Sequence, residues 1–537
     1  MTEPFNAAAY LTDYRVTAGD GDRLALRSPR TTENPRGTTT YSELTEEVRR
    51  IAAGLVAIGV RPEERVLLCM VDDVELATGI LATMYLGAVA VPSSTMLTGP
   101  ELRKLVVDSR ARVLLGSTEF AAAVTTAAEQ APDLRHVVLT GDTAPQVPGV
   151  AGLTWSDLRG HGVLAQPYPT WDESPALWLY TSGTTGTPKG AMHRHIDIRV
   201  VCETYGAEVL GIGPEDVCLS AAKLFFAYGI GNSLFFPLAV GASAVLEPSR
   251  PNPTLFAERI AEHGVTLFFG GPSFWGPLMA ADLPRETFAT VRNGVSAGEA
   301  LPARMFHGVA EQYGFEILDG IGSTEALHIF ISNTPGAVVP GSSGFPVPGY
   351  RVELRRTDGT VIDGADEPGM LYVAGESICT GYWCRTEVNR AVFQGEWMRT
   401  GDQYVRGADG SYTCLGRADD VLKVGGIWVS PTEVETRLLE HPGLAEAVVV
   451  GVPDADGLDK PVAYVVPRPG HTVDPDEIVA FCRAGLASFK RPRQVIEVAE
   501  LPKTATGKIQ RYRLRAQAAA TVAPAAPTVA DVAEAQA

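Results

Sequence analysis

Ten consecutive residues, Thr181-Ser182-Gly183-Thr184-Thr185-Gly186-Thr187-Pro188-Lys189-Gly190, gather hydroxyls, three glycines and one lysine. Glycines let backbone N–H groups turn towards an anion, hydroxyls add donors, and Lys189 adds charge. That is chemistry suited to a polyphosphate. The order Gly186-Thr187-Pro188-Lys189 lacks the G-K-[ST] register of a Walker loop. A second group, Asp319-Gly320-Ile321-Gly322-Ser323-Thr324-Glu325, puts a hydroxyl beside a carboxylate. A carboxylate next to a polyphosphate needs a cation between them to offset repulsion. Near the C-terminus, Phe489-Lys490-Arg491-Pro492-Arg493 is locally basic with an adjoining aromatic, and Lys508 lies in the polar loop Pro502–Lys508. Gly294-Val295-Ser296-Ala297-Gly298 also matches G-x-S-x-G and is trailed by His307, His328, His441 and His471, so a serine hydrolase is a rival reading.

The elements that must position these groups read as a mixed α/β chain. Leu44, Val48, Ile51, Leu55 and Ile58 recur at helical spacing and Gly59 supplies a stop. Short apolar runs follow at Val66–Met70, Val113–Leu115, Val137–Leu139, Leu177–Tyr180, Val217–Ser220, Ala242–Leu246, Val265–Phe269 and Phe315–Leu318. Runs of that kind separated by helix-length segments predict parallel-rich sheets covered on both faces. After Gly341, strands and Gly-rich turns suggest a small β subdomain, with runs at Tyr350–Leu354 and Met370–Val373. A boundary is expected near Arg417–Asp420, giving a large N-terminal domain over 1–418 and a small mobile α+β domain over 419–515. Within the latter, Ser430-Pro431-Thr432-Glu433 and Asp474-Pro475-Asp476-Glu477 are helix starts. The Ala-rich stretch 516–537 is expected to be a disordered tail.

Composition narrows the function classes. At 537 residues, 45% hydrophobic and 20% charged, the chain can bury large cores in two or three domains. A formal charge of -18 argues against nucleic acid and anionic membrane as partners, since both reward clustered Lys and Arg. Seven scattered cysteines without a C-x-x-C pair fit a reducing compartment. The first residues lack a signal-like pattern, and the apolar stretch Leu234–Leu246 is short and broken by Pro237 and Gly241. A cytoplasmic protein, monomeric or homodimeric, is the expectation.

The loop 181–190 resembles the signature of the superfamily of acyl- and aryl-CoA synthetases, peptide-synthetase adenylation domains and luciferases, and six further segments match it in order. The resemblance implies ATP bound through Thr181, Ser182, Gly183, Thr184, Thr185, Gly186 and Lys189, with Asp319 in the nucleotide segment. Glu325 would hold Mg²⁺ and Thr324 would contact the α-phosphate. Ser296-Ala297-Gly298-Glu299-Ala300 would wall the adenine pocket through Ala297, Gly298 and Glu299, although Ile321 stands where the superfamily commonly has Tyr. In Arg399-Thr400-Gly401-Asp402, the aspartate would grip both ribose hydroxyls. Arg417 would lie near ribose and phosphate, and Asp419 would be the pivot about which the C-terminal domain rotates. That rotation would bring in the Lys423–Ser430 loop with Lys423 and Gly425. Lys508 would be the catalytic lysine, and Phe489 and Arg491 would hold the CoA nucleotide.

Lys223-Leu224-Phe225-Phe226-Ala227-Tyr228-Gly229 and Leu327-His328-Ile329-Phe330 resemble the benzoate-CoA ligase branch. By that resemblance Phe226 gates the thiol tunnel, while Ala227, Tyr228, Gly322, His328 and Ile329 shape a small aryl pocket. The implied partners are an aryl carboxylic acid, ATP with Mg²⁺, and CoA. Two further alternatives are a carrier-protein phosphopantetheine as acceptor and a non-catalytic nucleotide-binding scaffold.

Overall fold

The computed structural model describes residues 4–30, 36–182, 188–417, 420, 422–424, 427–453, 459–486, 490–503 and 509–522. The chain separates into two compact units, one of residues 1–353, 372–400 and 407–413, the other of 354–371, 401–406 and 414–537.

The first unit contains two large sheets. In a seven-stranded sheet the order is Ala151–Thr154, His136–Leu139, Val113–Gly116, Arg65–Cys69, Val89–Pro92, Pro175–Ser182 and Pro188–Arg194. All neighbours run parallel except the last pair. In a nine-stranded sheet, Leu24–Arg27, Ser243–Val245, Val217–Ser220, Leu267–Gly270, Asn293–Ser296 and Glu316–Gly322 form a parallel centre. Its antiparallel edges are Thr38–Thr40 on one side and Ile329–Ser332 with Phe345–Pro346 on the other. Each of the eight apolar runs expected before residue 320 overlaps a strand of these sheets. The reason is burial on both faces, which leaves strands with continuous apolar runs.

Helices cover those faces. Tyr41–Ala57 buries Leu44, Val48, Ile51 and Leu55. It starts on a reciprocal Thr40–Glu43 capping box and ends before Gly59, whose φ of +90° suits only glycine. Trp275, Phe256, Phe268 and Phe288 are at most 1% exposed and share one core with Ile317 from the strand that leads to Glu325. Burial of each such side chain contributes about 1.5–3 kcal/mol, so the strand is firmly seated.

In the second unit, Leu444–Pro453, Asp459–Pro467 and Gln494–Glu497 form a three-stranded sheet. Helices Pro431–Leu439 and Pro475–Gly485 pack Val434, Leu438, Ile478 and Cys482 into its core. Ser430 caps the first helix by accepting from the Glu433 amide, but Glu433 does not complete the box; its carboxylate takes Lys490 Nζ at 2.6 Å. The Ala-rich segment expected to be disordered from 516 is helical as far as Val522, because Leu514 and Ala518 are buried in an apolar cluster. No helix among the described residues is long and apolar enough to cross a membrane.

Candidate active site

The polyphosphate-type loop is the turn of a hairpin. Pro175–Ser182 and Pro188–Arg194 pair antiparallel, with Thr181 opposite Lys189 and Ser182 opposite Pro188. Thr181, Ser182 and Lys189 therefore start from strands and not from one continuous loop, while Gly183, Thr184, Thr185 and Gly186 lie outside the described residues. Across the other edge of Pro188–Arg194 runs the segment 380–383. Met192 N donates to Gly381 O at 2.9 Å and Trp383 N to Gly190 O at 2.9 Å. This pairing places the Tyr382 ring 4.9 Å from Lys189 Nζ, a cation–π contact.

The acidic segment is a second hairpin. Glu316–Gly322 returns through Ile329–Ser332, with Gly322 opposite Ile329 and Glu325 in the connection. Three successive carbonyls of that connection are held from behind. Thr324 O faces His193 Nε2 at 2.8 Å, Glu325 O accepts Cys379 N at 2.8 Å, and Ala326 O accepts Ser377 Oγ at 2.7 Å. The Glu325 side chain accepts the Tyr382 hydroxyl on Oε1 at 2.6 Å. Among the described residues no three His, Cys, Asp or Glu side chains stand together as a metal cage. Glu325 offers a single carboxylate, the kind of ligand that Mg²⁺ takes beside phosphates and water.

The base of the same hairpin meets the expected aryl pocket. His328, 2% exposed, faces Asn232 Oδ1 at 3.1 Å and Tyr228 O at 3.3 Å through Nε2. Both partners accept, so Nε2 carries the hydrogen. Burial lowers the His328 pKa to about 3 and keeps the ring neutral. Its ring lies 4.5 Å from Phe236, 5.2 Å from Tyr205 and 5.5 Å from Tyr228 between centroids. Space is tight around it. A Cβ at Gly231 would sit 2.4 Å from His328 Cδ2, and one at Gly322 would sit 2.5 Å from His328 O. The short helix Ala227–Ile230 starts at Phe226 and buries Ala227, and Tyr228 Oη donates to Val295 O at 2.9 Å. Tyr228, Gly322, His328 and Ile329 are thus brought together, with Phe226 and Ala227 preceding Tyr228 at the same helix start.

At the expected adenine wall, Ser296 ends a buried strand, Ala297 is 9% exposed, Gly298 turns with φ +96°, and Glu299 is exposed. Asp319 pairs in register with Ser296. Burial pushes its carboxyl well above the usual range, opposed by the amides of Leu301 and Gly320. The Ser296 hydroxyl lies beside that carboxyl and favours its charged form, and among the described residues no histidine hydrogen-bonds to Ser296 Oγ as a hydrolase nucleophile would need.

In the second unit, Asp402 Oδ1 accepts Arg417 Nη1 at 3.0 Å. Arg491 donates to Leu486 O at 2.9 Å, closing the end of the Pro475–Gly485 helix. Asp419, Gly425, Phe489 and Lys508 lie outside the described residues, as does the side chain of Lys423.

Sequence reading missed Tyr382, His193, Asp197 and Asn232. Each acts through a partner that is remote in sequence or ordinary in local pattern. The one available signal was the unusual density of histidine in Met192-His193-Arg194-His195, directly after the phosphate loop.

Comparisons with known proteins identify the family of the chain. The AMP-binding enzyme family matches residues 14–383, and the AMP-binding enzyme C-terminal domain matches residues 433–508. The chain is 41% identical over 520 residues to a benzoate-CoA ligase of Thauera aromatica, covering 96% of each sequence. A crystal structure of a benzoate CoA ligase from Burkholderia xenovorans LB400 is similar with a TM-score of 0.86 at 40% identity, over 95% of this chain and 100% of that one. The anthranilate CoA ligase AuaEII, in complex with anthranoyl-AMP, is similar with a TM-score of 0.91 at 37% identity, over 98% and 99%. Matched in both its large and its C-terminal segments, this chain belongs to the AMP-binding enzyme family.

Proposed function

We propose that this protein activates benzoate, or a close aryl carboxylate, with ATP and transfers the acyl group to CoA. The observation that carries the reading is one hairpin. It bears Glu325 in its connection and Gly322, His328 and Ile329 at its base, so the phosphate-side carboxylate and the pocket walls are parts of one rigid piece. A carboxylate that must attack a phosphate needs that adjacency.

In the first step the acid's carboxylate oxygen attacks the α-phosphorus, the bond to pyrophosphate breaks, and an acyl-adenylate forms. Two anions meet, so the barrier is largely electrostatic. By the resemblance, Lys189 would serve the pyrophosphate, Lys508 the carboxylate and the α-phosphate, Thr324 that same phosphate, and Asp402 the ribose. Mg²⁺ at Glu325 would neutralise charge on the phosphates. The neutral His328 and the rings of Tyr228, Tyr205 and Phe236 suit a flat ring and exclude water.

In the second step the CoA sulfur attacks the acyl carbon and AMP leaves. No protein nucleophile is needed, because the adenylate is itself reactive. We take residues 419–515 as a lid that withdraws Lys508 and brings in the Lys423–Ser430 loop, pivoting at Asp419, with Phe489 and Arg491 on the CoA nucleotide. Free cysteines, five of them buried, fit a reducing cytoplasm. The test is full turnover: benzoate, ATP and CoA should give benzoyl-CoA, AMP and pyrophosphate in equal amounts. Thioester formed only on a carrier protein would overturn the CoA assignment.

A further inference from the structure

His193 and Asp197 belong to none of the segments assigned above, yet both side chains are fully buried directly behind the phosphate side of the site. His193 Nδ1 faces Asp197 Oδ2 at 3.0 Å and Nε2 faces Thr324 O at 2.8 Å. A peptide carbonyl can only accept, so Nε2 donates to Thr324. Asp197 is itself fixed. Its oxygens accept the Arg194 amide at 3.0 Å and Arg194 Nε at 3.0 Å, and it lies in the first turn of the helix His195–Val201.

The placement matters because of what else the strand carries. His193 is four residues beyond Lys189 on Pro188–Arg194, and successive even steps along a strand share a face. The same strand pairs through its edge with the segment that holds Tyr382. One end of the strand therefore delivers Lys189 and Tyr382 to the phosphate side, and the other end grips the carbonyl between Thr324 and Glu325. Removing the grip leaves the Thr324 carbonyl, which lies 131 positions along the chain from His193, without the bond that sets its distance from Lys189.

The geometry points to His193, anchored by Asp197, as a positioning residue that holds Thr324 and Glu325 in register with Lys189 for binding ATP with its metal ion. The inference rests on the adenylate-forming reading. It adds a group that does not touch substrate and acts only through the two residues that would.

The test uses the full-length chain and His193→Gln, whose amide can reach one of the two partners but cannot span both. ATP affinity is read by calorimetry with Mg²⁺ present, beside the KM for ATP, the KM for benzoate, and thioester formation from supplied benzoyl-adenylate and CoA. Groups that orient a metal-binding residue from behind typically change affinity by about 10- to 100-fold. The expected result is about a tenfold loss in ATP affinity and a matching rise in ATP KM, with benzoate KM and the second half-reaction unchanged. Unchanged ATP affinity would overturn the inference. So would a parallel fall of both half-reactions together with melting temperature, which marks a folding role alone. Should His193→Gln fail to fold, Asp197→Ala leaves the imidazole without its anchor and is read against the same outcomes. A wild-type chain that binds ATP but turns over no acid refutes the reading of activity, while the calorimetric comparison still decides the role of His193.

Discussion

The hydroxyl of Tyr382 donates to Oε1 of Glu325 at 2.6 Å. The two residues stand 57 positions apart, and the same tyrosine ring carries the Lys189 ammonium at 4.9 Å. One side chain thus sets the orientation of the carboxylate expected at the metal and the place of the lysine expected at the phosphates. Tyr382 also packs with Ala191 and Cys379 and lies 5.5 Å from Phe393, so the ring has little freedom to turn.

Removing only the hydroxyl separates these roles. Tyr382→Phe keeps the ring, the cation–π contact and the packing, but leaves Glu325 without its fixed donor. The Mg²⁺ concentration for half-maximal adenylation should rise by about tenfold, the low end for loss of a partner that orients a metal ligand. Melting temperature should hardly move. A titration of activity against Mg²⁺ that matches wild type would dismiss the orienting role.

Gly231 tests the pocket. A methyl there would overlap the His328 ring at 2.4 Å, and the ring is wedged by Phe236 on another side. Gly231→Ala should therefore shift His328 and raise the KM for benzoate by about tenfold, the scale of one methylene in a fitted pocket. ATP affinity should stay at the wild-type value. An unaltered benzoate KM in a folded variant would place His328 away from the acid.

The clearest pH dependence concerns stability. His195 is fully buried, accepts the Ala7 amide on Nδ1 at 3.0 Å, and has its pKa lowered to about 3 by burial. In the unfolded chain a histidine titrates near 6.5. Below that pH the unfolded state takes a proton that the folded state refuses, so stability falls as pH drops from about 6.5 towards 3. His195→Gln lacks this linkage. In denaturant unfolding, the stability of wild type relative to the variant should fall by about 2 kcal/mol between pH 7 and pH 5. A gap that stays constant over this range would contradict the buried neutral ring.

Lys508→Ala addresses the chemical step. On the proposed mechanism Lys508 supplies charge to the carboxylate and the α-phosphate, and its loss should slow adenylation by about 10²–10³-fold. Single-turnover formation of the adenylate measures it directly, and a rate within about threefold of wild type would remove Lys508 from the mechanism.

The parts of the fold that were legible from sequence are those where burial on both faces forces an apolar run, such as Val217–Ser220 and Val113–Gly116. Pro188–Arg194 was not legible as a strand. Its residues Pro-Lys-Gly-Ala-Met-His-Arg carry no apolar alternation, and its extended form comes from pairing along both edges with Pro175–Ser182 and 380–383. Helix starts were readable because a cap acts over three residues, although at Ser430 the carboxylate of Glu433 went to Lys490 instead. Residues of the site with a chemical signature, Lys189, Glu325 and His328, could be named in advance through the resemblance. Tyr382, His193 and Asn232 could not, because each acts through a contact that only the folded chain creates.

The most direct measurement of the central claim is acid-dependent exchange of pyrophosphate into ATP, with benzoate, its amino and hydroxy derivatives, cinnamate and a medium-chain fatty acid offered in turn. Exchange that is strongest with a benzoate is the predicted result, since it requires both adenylation and a small flat pocket. Exchange confined to cinnamate or the fatty acid would contradict the pocket built around His328, and none with any of these acids would contradict the activity itself.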